Sequence, residues 1–133
     1  MSNYHNDEFL GFGTTAPPNV VPEWFFRILF FPSIKNVEGM PVQAPYGLRK
    51  IEAQLLNEGF KVLTVSPSHL NQYLDNSKVL GIHVMDPFGL GPASSTFARI
   101  LKTGEPYVAK YFRLLLEKPE VANAKRKGLK IIV

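Results

Sequence analysis

The eight residues from Lys78 to Met85, KVLGIHVM, restrict the fold more than any other stretch of this chain. A nearly continuous apolar run does not alternate between core and solvent. It suits the buried middle of a parallel sheet, where helices cover both faces. The run stops at Asp86-Pro87-Phe88-Gly89-Leu90-Gly91-Pro92, whose two glycines and two prolines cannot continue a ladder.

Other segments follow the same alternation. Leu48, Ile51, Leu55 and Leu56 recur on one face of a helix expected from Pro45 to Gly59, and Phe60–Val65 then reads as a β-branched strand stopped by Ser66-Pro67. A short helix from Ser68 to Leu74 precedes the strand at 78–85. Helices are expected at Ser94–Lys102, at Pro106–Glu117 with Val108, Tyr111, Phe112, Leu115 and Leu116 along one stripe, and at Pro119–Lys127. Gly128 reads as the C-cap of the last, before a strand at Leu129–Val133.

Toward the amino end, Phe9–Thr14 reads as a first strand broken by Thr15-Ala16-Pro17-Pro18. Pro22 suits the first turn of a helix that runs through Phe30 until Pro32 forbids extension, and residues 33–44 form a loop or irregular hairpin. Helices alternating with apolar strands predict an α/β fold with a doubly wound, mostly parallel sheet, Rossmann-like or flavodoxin-like. Ligands of such sheets bind beyond the carboxyl ends of the strands, so loops 13–19, 66–69 and 85–96 are the ones to watch. Ending on an all-apolar strand leads us to expect truncation at the last strand, with one sheet face uncovered. That face and the aromatic segment Trp24–Phe31 predict self-association.

Composition excludes several classes. The 133 residues suit one domain spanning 1–133, and 45% apolar against 20% charged residues is ample for a core. No cysteine is present, so disulfides, zinc fingers and a Cys-ligated iron–sulfur cluster are excluded within the chain. The segment Met1–Glu8 lacks the basic start and apolar run of a secretory signal, which points to a cytoplasmic protein. Val20–Ile34 is apolar but broken by Pro22, Glu23, Arg27 and Pro32, whereas a membrane span needs about 20 apolar residues. It reads as a buried or partner-facing helix, not a membrane segment. The net charge of +4 comes partly from Lys125, Arg126, Lys127 and Lys130, which complement a helix dipole without any nucleic-acid partner.

Candidate chemistry concentrates in one loop. Met85–Thr96 combines Asp86, two glycines that let backbone approach a ligand, and the hydroxyls of Ser94, Ser95 and Thr96 opening a helix. Two readings fit: anion binding by free N–H donors at a helix N-terminus, or plain N-capping by Ser94 or its neighbour. His5 reads as solvated or capping, His69 as a surface residue starting a helix, and His83 as a buried neutral imidazole with one hydrogen-bond partner. Asp86 could serve as a base in principle, but no recognised hydrolytic motif or P-loop accompanies it.

The segments SNYHNDEFLGFGTTAPPNVVPEW, APYGLRKIEAQLLNEGF, VLGIHVMDPFGLGPASSTF and GLKIIV together resemble the N-terminal region of archaeal radical-SAM proteins that begin with a cobalamin-binding-type domain. The resemblance implies a fragment of a longer protein: an accessory domain that presents cobalamin beside a radical-SAM barrel, without catalysis of its own. The iron–sulfur cluster and S-adenosylmethionine would then belong to that barrel, the partner domain in the parent chain. On family position, Thr14, Thr15, Met85, Asp86, Ser94, Ser95 and Thr96 are the expected cofactor contacts. The usual DxHxxG loop is replaced here by Gly13-Thr14-Thr15-Ala16-Pro17-Pro18, which has no histidine to ligate cobalt. The alternative is a Rossmann-like interaction module that has lost cobalamin and packs on a partner domain through Trp24–Phe31.

Overall fold

The apolar run does enter a parallel ladder, but with three of its residues only. The computed structural model describes residues 3–4, 7–8, 11–29, 34–102 and 104–133. In chain order the elements are β1 (Asn3–Tyr4), β2 (Asp7–Glu8), a 3-10 turn (Gly11–Thr15), α1 (Glu23–Leu29), β3 (Asn36–Val37), β4 (Met40–Pro41) and α2 (Tyr46–Asn57). Two 3-10 turns (Pro67–Gln72 and Leu74–Asn76) follow, then β5 (Val79–Gly81), α3 (Pro92–Leu101), α4 (Tyr107–Leu116), α5 (Pro119–Arg126) and β6 (Lys130–Ile132). The protein is a mixture of helices and strands, as expected.

The chain gathers into two compact units, one of Met1–Ser33 with Val84–Glu117 and the other of Ile34–His83 with Lys118–Val133. The second unit contains the parallel pair: Val79 lies opposite Lys130, Leu80 opposite Ile131 and Gly81 opposite Ile132. Backbone bonds from Lys130 N–H to the Lys78 carbonyl (3.0 Å) and from Ile82 N–H to the Ile132 carbonyl (2.8 Å) extend it at both ends. Val121 and Ala124 of α5 are buried with Leu70, Leu74 and Leu129, so the 3-10 turns and α5 supply this unit's core. Helix α5 ends at Gly128 in a Schellman pattern, with Leu129 N–H bonded to the Ala124 carbonyl and Gly128 N–H to that of Lys125. The same pattern closes α2 at Gly59, where the sequence placed its end.

Residues 33–44 contain a hairpin, β3 paired antiparallel with β4. Its two loop residues, Glu38 and Gly39, have φ of 50° and 78°, as a type I′ turn requires. Gly39 also lies under His69: a Cβ here would come within 2.8 Å of the His69 Cβ.

The first unit is built on stacked rings. Tyr107 of α4 is wholly buried, with the ring of Phe26 from α1 stacked on it at 3.9 Å between centroids. Helices α3 and α4 both pack on the 3-10 turn Gly11–Thr15. The Tyr107 N–H donates to the Ala16 carbonyl at 3.0 Å, which ties α4 to the turn's exit.

Several expectations are corrected. A doubly wound sheet is not evident among the described residues, whose sheets are three two-stranded pairs with only β5–β6 parallel. Phe60–Val65 joins no ladder: Thr64 N–H donates to Glu52 Oε1 (2.7 Å) and the following Ser66 N–H to the Gly39 carbonyl (2.9 Å), so two donors that a strand would offer are already engaged. Ser68–Leu74 winds as 3-10 turns, not as a helix of α type. Of the first strand expected at Phe9–Thr14, the described part curls into the 3-10 turn, and Phe9 and Leu10 lie outside the described residues. Phe30 and Pro32, expected at the end of the first helix, lie outside them as well.

Candidate functional site

Asp86 organises the loop that the sequence singled out. Its Oδ1 accepts the Leu90 N–H at 2.9 Å, and its Oδ2 accepts the Gly91 N–H at 3.1 Å and the Ser94 hydroxyl at 2.5 Å. Burial alone would raise this carboxyl, but the Ser94 hydroxyl and the backbone N–H groups outweigh it and hold Asp86 below its ordinary value. The loop closes tightly around it: a Cβ on Gly91 would lie 3.0 Å from Oδ2, and one on Gly89, where φ is 67°, would collide with Pro106 at 2.6 Å. The glycines therefore admit the protein's own carboxylate and proline ring.

This geometry changes the roles assigned from sequence. Helix α3 starts at Pro92 with Gly91 as N-cap, so Ser94 is inside the first turn and is not the cap. Ser94 is buried, 2% exposed, and faces Asp86. Ser95 donates to the Pro92 carbonyl at 3.2 Å. Thr96 is exposed on α3, and Met85 is 93% exposed. Thr14 and Thr15 are half-buried in the 3-10 turn against which α3 packs. The structure thus brings the elements carrying Thr14, Thr15 and Ser94–Thr96 together in one unit, with Asp86 bonded to Ser94. Loop 66–69 belongs to the other unit.

Of the histidines, His5 lies outside the described residues. His69 is half-buried and its Nδ1 lies 2.9 Å from the Ser68 hydroxyl, at a 3-10 turn. His83 is exposed, contrary to the buried position expected, because it continues the alternation of Val79 and Gly81, which are exposed within the ladder itself. Among the described residues, no three histidine, aspartate or glutamate side chains gather in a way that could hold a metal ion.

Sequence reasoning missed a polar cluster in the same unit. Glu23 Oε2 accepts from Lys110 Nζ at 2.8 Å, while Oε1 accepts from the Tyr111 hydroxyl at 2.9 Å and from Arg27 Nε at 3.2 Å. The bonds from Lys110 and Tyr111, opposed by partial burial, take Glu23 down to about 2. The Glu23–Arg27 spacing of four residues on a helix was a readable signal. The partners on α4, 87 and 88 residues away, gave none.

Among the described residues no helix is long and apolar enough to cross a membrane. No family model, curated protein or solved structure matches this chain.

Proposed function

We propose that this chain is an accessory α/β module, of the kind its resemblance to radical-SAM proteins implies, whose first unit docks a partner domain through exposed apolar side chains. The observation that carries the reading is the pairing of an internally satisfied Asp86 with an outward apolar rim. In that loop Met85, Phe88 and Leu90 are exposed, Leu90 at 78%, while α1 presents Trp24 and Ile28, the latter 69% exposed. Large exposed apolar groups rimmed by polar ones mark interaction surfaces more often than isolated exposure does. A Rossmann-like sheet completed by further strands, and cytoplasmic residence, belong to this same proposal.

Cobalamin presentation is the second reading, favoured by the packing of the Thr14–Thr15 turn on α3. Thr14, Thr15, Ser95 and Thr96 would then approach the cofactor, with no histidine in the 13–18 loop to ligate cobalt. Titration with hydroxocobalamin, followed by visible absorption and calorimetry, separates the two. The docking reading expects no saturable one-to-one binding, together with self-association that Ile28→Ser and Leu90→Ser suppress. Stoichiometric binding lost on Thr14→Val and Thr96→Val would replace it with the cofactor reading. A monomer with no cobalamin affinity would overturn both.

A further inference from the structure

The ladder of the second unit leaves one edge of β5 open. Its bonds to β6 use the Lys78 carbonyl and the Ile82 N–H, so alternation turns the N–H and C=O groups of Val79 and Gly81 to the opposite side. Among the described residues nothing pairs with them there: β5 has β6 as its single ladder partner, and no turn or loop bond ends on Val79 or Gly81. Gly81 is exposed although it has no side chain, so it is backbone that reaches solvent.

Gly81 interrupts an apolar strand where a β-branched residue would fit. A Cβ added there meets nothing within 4 Å, its φ lies outside the left-handed region, and the register from Val79 to Gly81 runs on without a bulge. With no turn, bulge or internal crowding to require it, a glycine inside a strand marks a close approach from outside. Charge then selects what approaches. The second unit has ten Lys and Arg against five Asp and Glu, and the first has five against six, so the net positive charge lies in the unit that carries this edge. An excess of lysines beside an open edge repels a second copy of the chain and attracts an acidic one.

We infer that the open edge of β5 takes up an extended, acidic segment of a partner protein as an added strand, with a large side chain of that segment packed over Gly81. Main-chain bonds to Val79 and Gly81 supply affinity, and the bare glycine gives an aromatic ring a place to lie against the strand. The positive charge of the unit draws the acidic segment in. This edge belongs to the second unit, so the inference does not rest on the docking surface proposed for the first, and Ile28 and Leu90 take no part in it.

The test is amide chemical-shift mapping of the whole chain against a short blocked peptide in which glutamate alternates with valine and phenylalanine. Saturable shifts are expected at residues 79–83, and the Val79 and Gly81 amides should become protected from hydrogen exchange. N-methylation of the peptide's ladder-facing amides removes main-chain donors and none of the charge, and should weaken binding about tenfold. Lysine in place of glutamate should also weaken it about tenfold. Gly81→Val should lower affinity by a similar factor without lowering the thermal midpoint, because within the chain the new side chain enters open space. No saturable shift, or an affinity indifferent to N-methylation, to the charge of the peptide or to Gly81→Val, would overturn the assignment. Protection of the Val79 and Gly81 amides that rises with protein concentration in the absence of peptide would overturn it too, by giving the edge to a second copy.

Discussion

Tyr107 and Phe26 lie with ring centroids 3.9 Å apart and planes 20° from parallel, and the Tyr107 hydroxyl donates to the Val21 carbonyl at 2.6 Å. One side chain thus supplies both the apolar centre of the first unit and the partner for a carbonyl just before α1. Tyr107→Phe leaves that carbonyl unpaired and should cost about 1 to 2 kcal/mol, while Tyr107→Ala adds a cavity and should cost about 3 to 5 kcal/mol. Urea denaturation of the two variants checks the order.

Asp86→Ala removes the acceptor for two backbone N–H groups and a buried hydroxyl. A loss of about 2 to 3 kcal/mol is expected, with Ser94→Ala less costly because the two N–H bonds survive. A thermal midpoint unchanged in Asp86→Ala would show that the carboxylate does not hold the loop. A loss of ligand binding in that variant would therefore report the fold as well as any site, whereas the exposed Thr96 reports the site alone.

Acid should weaken the first unit. Glu23 is depressed to about 2 from 4.5 and Asp86 is lowered from 3.8, so their contributions are complete above pH 4.5 and are lost as pH falls through the folded-state values. Glu23 is partly exposed, and solvent screening reduces its share to about 1 kcal/mol. Thermal midpoints measured from pH 6 to pH 2 should fall, and Glu23→Gln should flatten the profile.

Gly39→Ala places a Cβ within 2.8 Å of the His69 Cβ at a φ of 78°. Strain and overlap together should cost about 2 kcal/mol or more. Gly104, at which an added Cβ meets nothing within 4 Å, is the control whose substitution should be nearly neutral. Both are read by the shift in denaturation midpoint.

Ile28→Ser and Leu90→Ser alter exposed positions, so stability should change by no more than about 0.5 kcal/mol. Self-association measured by light scattering should nevertheless fall. Unchanged association would show that neither side chain belongs to the docking surface.

Local windows of sequence determined where most helices lie and where two of them stop. The apolar stripe of Leu48, Ile51 and Leu55, and the glycines at 59 and 128, act through bonds spanning five residues or fewer, so a short stretch contains all the information they need. The loop at 85–96 was legible as unusual for the same reason. Its chemistry was not, because whether a carboxylate faces a ligand or its own Ser94 depends on how the loop closes around Pro106.

Tertiary structure alone decided the pairings. Phe60–Val65 has the composition of a strand, yet Glu52 and the Gly39 carbonyl take the N–H groups of Thr64 and Ser66. The run at 78–85 divides between the two units after His83, although nothing in its uniform hydrophobicity marks a break. Glu23 finds Lys110 across 87 residues of chain. A ladder or an ion pair needs a second group brought to it, and which group arrives is settled by the packing of whole elements, where no local pattern reaches.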